Sequence, residues 1–520
     1  MDLKQHLIHR SYTKCEAKNQ ITIGDDYSVP DGKPDVSKIL QRRAEIIIGE
    51  VTAEKGKIRI RGSLKVNVFY LAQRSDRVVE SLEMEFPFDE ILYVDGAVSG
   101  DNLKIDWTIE ELQINIVHPG KLDVRSVVML SGVIKGSENH FLTEDVEEEN
   151  VHKKAKVYQM AQPAIDKKDS YRIRDEVNLP ASKPNVQRML WHNLQIRGLD
   201  VRIQENRLAI KGECYLFVVY EGEEEKETPQ WFDQTIPFQG TLDVMGLRGE
   251  MFGALESEIS HQSVEVKPDY DGELRNFQIE MMLDIHMHLY EEIDCMILQD
   301  AYCTNKQLKI QKQEVSYEKL RMCNQAKARV SGQGRLEREG TILQMISSLG
   351  QISDKRYKIQ DQGILCEGTL GVQVLYVTSN DKEPFGCMDI EIPYSQLVDI
   401  PGISNKDHWE VTETIDQIFV TMQDGRTVDV KANLNFSACV MEQCSLENIT
   451  EIICENYDME EYKKRPGMVI HFVQPKETLW ELAKAYWTTT EEIKEMNELS
   501  SEEVAVGQKL LLMKKSMETL

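Results

Sequence analysis

The stretch "KIRIRGSLKVNVFY" (Lys57–Tyr70) alternates Ile58, Ile60, Leu64, Val66, Val68 and Tyr70 with Arg59, Arg61, Ser63, Lys65 and Asn67. A period of two belongs to a strand with one face on a core and the other in water. The same pattern returns as "RLAIKGECYLFVVY" (Arg207–Tyr220) and "GILCEGTLGVQVLY" (Gly363–Tyr376), each time with a glycine eight residues before the tyrosine. Such self-similarity marks three copies of one unit. Gly62, Gly212 and Gly368 read as structural, relieving a bend or bulge where a Cβ would not fit.

Seventeen residues beyond each tyrosine stand "FPF" at Pro87, "IPF" at Pro237 and "IPY" at Pro393. Proline lacks the donor that a central strand needs, so these mark edge strands or strand starts. Polar turns such as "EGEEEKE" from Glu221 and "VTSNDKE" from Val377 join the two strands as a hairpin, their charges read as solvated tips. Further on, "PGKLDVRSVVML" from Pro119, "DGELRNFQIEMML" from Asp271 and "DGRTVDVKANLNF" from Asp424 each set a turn before another alternating strand. Each copy therefore holds at least four strands.

The first two copies open with "VPDGKPDVSKIL" and "LPASKPNVQRML". Pro34 and Pro184 suit a first helical turn, and Val36, Ile39 and Leu40, with Val186, Met189 and Leu190, then share one helical face. The third copy keeps only "GTIL" from Gly340, which makes it the divergent repeat, with this helix degenerate or absent. "EDVEEENVHKKAKV" from Glu144 reads as an exposed, mobile charged linker, and "ENYDMEEYKKRPG" from Glu455 as a polar break. Borders near 153, 316 and 464 give β-rich repeats at 1–153, 154–316 and 317–463, and a small module at 464–520.

A chain of 520 residues is too long for one core. Its 88 acidic and 61 basic side chains leave a net charge of −27, which repels phosphate backbones and anionic lipid. Nucleic acid and membrane insertion are thus not expected. "MDLKQHLIHRSYTKCEAKNQ" has no apolar core of a signal peptide and no later run reaches the ~20 apolar residues of a span, so a cytoplasmic chain is expected. Ten cysteines occur without a CxxC pair; Cys439 and Cys444 are the closest, and reduced, mostly buried thiols are expected.

The C-terminal module has its own local grammar. Thr478 with Glu481 and Thr489 with Glu492 form two capping boxes, each opening a helix. Leu479, Leu482, Ala483 and Tyr486 make a helical stripe, Ile493 and Met496 an inner face, and "VIHFV" and "QKLLLM" read as strands. Trp480 is expected to be partly buried in the small core. Trp487, after the first helix, is open to either packing or contact. Strand, helix, helix, strand, with "VQPKETLWELAKAY", Asn497 and Leu499 of "NEL", and "VGQKLLL", resembles a LysM domain. The family's usual Pro-Gly-Asp-Thr turn reads Pro475-Lys476-Glu477-Thr478, which places a side chain where the backbone would pass close to sugar.

Elsewhere no phosphate loop, zinc helix or nucleophile elbow occurs, and "GQGRLE" from Gly332 lacks the third glycine of a dinucleotide loop. "HMH" (His286, His288) could offer two imidazoles to a metal, but with no third ligand the pair reads as surface histidines. No enzyme activity, metal or cofactor is expected.

The expected fold is multidomain and mainly β: three sandwich- or barrel-like repeats, then a βααβ domain. That order, with the "VPDGKPDVSKIL" opening and the "IRGSLKVNVFY" strand, resembles the SipL family of clostridial spore-coat morphogenetic proteins, and the repeats look like its SPOCS domain. The resemblance implies an adaptor in the mother-cell cytoplasm, at the forespore surface. It would bind stage IV sporulation protein A, the coat basement-layer ATPase, and other coat proteins, with the LysM domain serving a protein partner. Lys476, Glu477, Thr478, Leu479, Trp487, Asn497, Glu498 and Leu499 match its groove loops and are the contact candidates, with Leu479 and Leu499 equally readable as core. The alternative is binding of peptidoglycan, an N-acetylglucosamine glycan.

Overall fold

The computed structural model describes all residues except 74–77, 149, 224–228, 337–339, 381–382, 457–459, 461–463, 465 and 515–520. The first repeat runs through β1 (Leu3–Ile23), β2 (Asp26–Ser28), β3 (Val36–Glu54), β4 (Lys57–Ala72), β5 (Val79–Tyr93), β6 (Asn102–His118) and β7 (Lys121–Val146). β3, β4 and β5 form one antiparallel sheet; β6, β7 and β1, with short β2, form another. The two stack as a sandwich whose core brings Ile58, Ile60, Leu64, Val66 and Val68 together with Leu122, Val124, Val128, Leu130 and Ile134, all fully buried. Each such side chain contributes about 1.5–3 kcal/mol on leaving water.

The second repeat repeats the plan with β8 (Val151–Asn178), β9 (Val186–Gln204), β10 (Arg207–Gly222), β11 (Gln230–Asp243), β12 (Phe252–Pro268) and β13 (Leu274–Cys303). The third does so with β14 (Gln307–Arg335), β15 (Ile342–Gln360), β16 (Gly363–Thr378), β17 (Phe385–Asp399), β18 (His408–Asp424) and β19 (Thr427–Glu455). β5, β11 and β17 each stand at the edge of a three-stranded sheet, which is where the missing donors of Pro87, Pro237 and Pro393 are tolerated.

The repeated glycine and the aromatic after the repeated proline are two halves of one contact. Gly62 lies opposite Phe88, Gly212 opposite Phe238 and Gly368 opposite Tyr394. A Cβ on these glycines would stand 2.8, 2.7 and 2.6 Å from Cζ of the respective ring. A bulge in the neighbouring strand accompanies the contact, between Ile48 and Glu50 beside Gly62.

The opening element is not a helix. Val36 and Val186 begin strands, and two bulges within five residues skip Ser37 and Leu40 in β3 and Gln187 and Leu190 in β9. Each extra residue stretches the alternation, so apolar positions fall at a spacing that imitates a helical face. β15 repeats both bulges at Leu343 and Ile346, so the third copy is not divergent here: it keeps the strand and varies only the sequence. The charged stretch from Glu144 is mostly strand as well, because β7 ends at Val146 and β8 begins at Val151. The strand pairing puts the links between repeats at 147–150 and 304–306, so residues 153 and 316 fall inside β8 and β14. Residue 464 lies in a stretch mostly outside the described residues. Cys323 and Cys439 face each other across β14 and β19, Cα atoms 4.1 Å apart, and are joined as a disulfide, which corrects the expectation of ten free thiols.

The leading and trailing strand of each repeat outrun their sandwich. A bulge at Lys14, Ala164 and Arg321 marks where they leave it as two-stranded ribbons, and a second bulge at Glu144, Gln299 and Thr450 lies near the far end. The three ribbons pack on one another through Ile8 and Leu142, Met160 and Ile297, Tyr317 and Leu446. Another shared core gathers Phe69 and Leu71 of β4, Trp191 and Phe217 of the second repeat, and Leu375 and Phe385 of the third. Phe69 and Trp191 stack with ring centroids 5.5 Å apart. Three similar units thus close on common cores, which explains why Phe69 and Leu71 are buried although they point away from their own sandwich.

Candidate functional site

The C-terminal module comprises β20 (Met468–Phe472), α1 (Leu479–Tyr486), α2 (Thr490–Met496) and β21 (Lys509–Met513). Both capping boxes form: Thr478 accepts from the Glu481 N–H and Thr489 from the Glu492 N–H, while each glutamate reaches back to its cap. Leu479, Leu482, Ala483 and Ile493 are buried with Val473, Leu510 and Leu512, and Tyr486 packs against them half-buried.

The sequence-derived contact residues divide by what holds them. Leu479 is core, and Leu499 packs on it half-buried. Thr478 is occupied as a cap. Asn497 clamps α2 to β21: its amide nitrogen donates to the Ile493 and Leu511 carbonyls, both at 2.8 Å, and its Oδ1 accepts from the Leu511 N–H at 2.6 Å. Trp487 is half-buried and ends α1 in the left-handed conformation, φ 51°. Lys476 and Glu498 are left as the exposed side chains on the surface of the two loops, with half-buried Glu477 between them and the body of the module.

That surface has unusual backbone. Lys476 (φ 73°) and Glu498 (φ 55°) both occupy the left-handed region that glycine fills at little cost. Holding a residue with a Cβ there costs about 1–2 kcal/mol, and such positions cluster at ligand sites. Both side chains are exposed. Glu477 accepts from the Gln474 N–H at 2.7 Å and lies 2.7 Å from His471 Nε2. The backbone bond, then the imidazole, hold its carboxyl below the ordinary range.

A second feature joins the module to the second repeat. Asp300, just past the Gln299 bulge in β13, lies 2.7 Å from Lys484 Nζ and accepts from Trp480 Nε1 at 2.8 Å, both on α1. Tyr302 is buried in the module's own core and meets Trp480 edge-on at 4.8 Å. Trp480 is half-buried as expected, but against the second repeat as well as its own domain. Burial alone would raise the Asp300 pKa; the Lys484 and Trp480 bonds outweigh it and leave it below the ordinary value. The module is therefore docked, with Lys476 and Glu498 left exposed. Comparing the copies would have found the signal: after the equivalent bulge the first reads Asp145-Val146-Glu147, the third Glu451-Ile452-Ile453, and only the second supplies an aromatic, in Asp300-Ala301-Tyr302.

His286 and His288 differ from the expected surface pair. His288 is largely buried, 3.0 Å from Asp166 and 3.3 Å from Lys135 of the first repeat, and His286 lies 3.3 Å from Glu258. Among the described residues no three metal-ligating side chains converge, and no helix is long and apolar enough to cross a membrane.

The family model described as SipL, SPOCS domain, matches residues 35–117, 185–267 and 341–423, and the LysM domain model matches 471–512. The three former matches fall on β3–β6, β9–β12 and β15–β18 and omit the ribbon strands. No curated protein and no solved structure matches the chain.

Proposed function

The chain has the SipL-type architecture, three SPOCS domains and a C-terminal LysM domain, and from that premise we propose that it is a non-enzymatic sporulation adaptor whose LysM loops bind a protein. The partner proposed is stage IV sporulation protein A, the coat basement-layer ATPase, met in the mother-cell cytoplasm at the forespore surface, with other coat proteins as further contacts. SPOCS and LysM domains are binding domains, and the closed cores of the repeats serve to hold the module in place.

The observation that carries the reading is the pair of left-handed, exposed, charged residues on the two loops, Lys476 and Glu498. A sugar passing close to the backbone is best served by glycine there, whereas projecting charges suit a protein surface of complementary charge. The test is retention of the full chain by the immobilised ATPase and, in parallel, by purified cortex peptidoglycan. Retention by the ATPase, weakened about tenfold by Lys476→Glu in a folded variant, is expected. Retention by peptidoglycan alone overturns the reading in favour of a glycan-binding protein.

A further inference from the structure

Beneath α1, between the second and third ribbons, lies a cleft of about 550 Å³. It is formed because β8 and β14 pair only at Ala161 and Glu318 and then part, leaving two facing strand edges without a ladder partner among the described pairings. Lys154 and Lys156 of β8, Lys312 of β14 and Lys484 of α1 line it, against the carboxylates Asp300 and Glu481. Asp300 is already engaged by Lys484 and Trp480. Lys154 and Lys156 make no ion pair among the described residues, and Lys312 meets only the well-exposed Glu447 at 3.2 Å. A concentration of positive charge is out of character for a chain of net charge −27.

Lysines on an open strand edge can simply prevent unwanted pairing. Here they also border an open cleft with a half-buried tryptophan at one wall and half-buried Leu308 and Ile310 on β14. The Nε2 of Gln299, the bulged residue at this wall, is buried without a hydrogen-bond partner. Bulges of this kind re-aim side chains beside sites. Lys154 and Lys156 are two residues apart on one strand, so their Cα atoms lie about 7 Å apart, the spacing of alternate residues in another extended chain, and the Lys156 ammonium rests over the Tyr158 ring at 5.1 Å.

We propose that this cleft is a second docking site, independent of the LysM loops, that takes an extended acidic segment of a protein partner. The segment lies along the free strand edge, with alternate carboxylates on Lys154 and Lys156, a third reaching Lys312, and its apolar side chains on Ile310 and Trp480. A long nucleic acid is disfavoured because the surrounding acidic surface repels its backbone.

The experiment titrates the full chain into a fluorescein-labelled oligoglutamate peptide and follows fluorescence polarisation. Saturable binding that weakens with salt is expected, and Lys154→Glu with Lys156→Glu should weaken it about tenfold or more. Lys18→Glu, in the part of β1 within the sandwich, should leave it unchanged. If the double reversal disturbs folding by circular dichroism, Lys154→Gln with Lys156→Gln supplies the same comparison at a smaller loss. No saturable binding, binding indifferent to the cleft lysines, or tighter binding of a single-stranded oligonucleotide lost in the same variant overturns the proposal.

Discussion

The ends of the second and third ribbons share a backbone and differ in use. In each, a bulge one residue earlier presents an acid, Asp300 in one and Glu451 in the other. Asp300 is held by Trp480 and Lys484, with Tyr302 buried two residues on; Glu451 is exposed, and Ile453 retains 37% of its surface. Repetition supplies three ribbon ends with the same bulge, and the one that bears an aromatic side chain, Tyr302, carries the LysM module. The fold is thus a property of all three copies, whereas placement of the binding module belongs to one.

Tyr302→Ala should break that asymmetry most severely. Tyr302 is 3% exposed within the module's core, so truncation should cost about 3 kcal/mol and free the module, seen as lost amide-exchange protection in α1. Ile453→Ala, at the matching place, should cost under about 1 kcal/mol and leave α1 protected. Equal losses from both would show that the two ribbon ends are not functionally distinct.

Asp300→Asn should cost less, about 1–2 kcal/mol, because Lys484 is 40% exposed and water screens the pair. Glu451→Gln should be near neutral. The pKa of Asp300 is depressed in the folded protein, so its contribution is full above the ordinary carboxylate pKa and is lost as pH falls through the lower folded value. Docking in the wild type should therefore loosen on acidification below the ordinary carboxylate range. A scan of α1 exchange against pH should lose this step in the Asn variant.

A smaller effect of opposite sign tests the same contact. The Tyr302 hydroxyl is buried without a hydrogen-bond partner, so Tyr302→Phe should keep the module docked and stabilise the chain by up to about 1 kcal/mol in thermal unfolding. A loss of stability would mean that the hydroxyl is satisfied in solution and that the ring is not the whole anchor.

The same contrast governs what the sequence could reveal. The β4, β10 and β16 strands were legible because one face of each meets its own core and keeps a period of two. Each glycine and ring could be read separately, but their meeting depends on cross-strand register, which no local pattern contains. The opening strands imitate a helix in sequence because paired bulges at Ser37 and Leu40 convert alternation into a helix-like spacing. The ribbon ends look like charged linkers since their lysines and acids face water; Lys153 meets Asp145 at 2.6 Å across the short link between the first two repeats, and Lys309 meets Glu455 at 2.7 Å from opposite ends of the third. The LysM capping boxes are fully local and stand in the sequence, whereas Asp300 with Lys484 spans 184 residues and leaves no local pattern.

The smallest expected effect separates conformation from recognition in the LysM loops. Lys476→Gly relieves a left-handed residue of its Cβ, a gain of about 1 kcal/mol, but the freer unfolded chain offsets roughly 0.5–1 kcal/mol of it. Stability should therefore change by less than about 0.5 kcal/mol. Retention by the proposed ATPase partner should nevertheless fall, because the charge that the turn projects is gone, while the turn, now Pro-Gly-Glu-Thr, comes one residue closer to the family's usual Pro-Gly-Asp-Thr. A variant that is as stable as wild type, holds the ATPase unchanged and does not gain peptidoglycan binding would show that the left-handed lysine is a tolerated relic of the turn, and would move the search for the protein contact to Glu498 on the opposite loop.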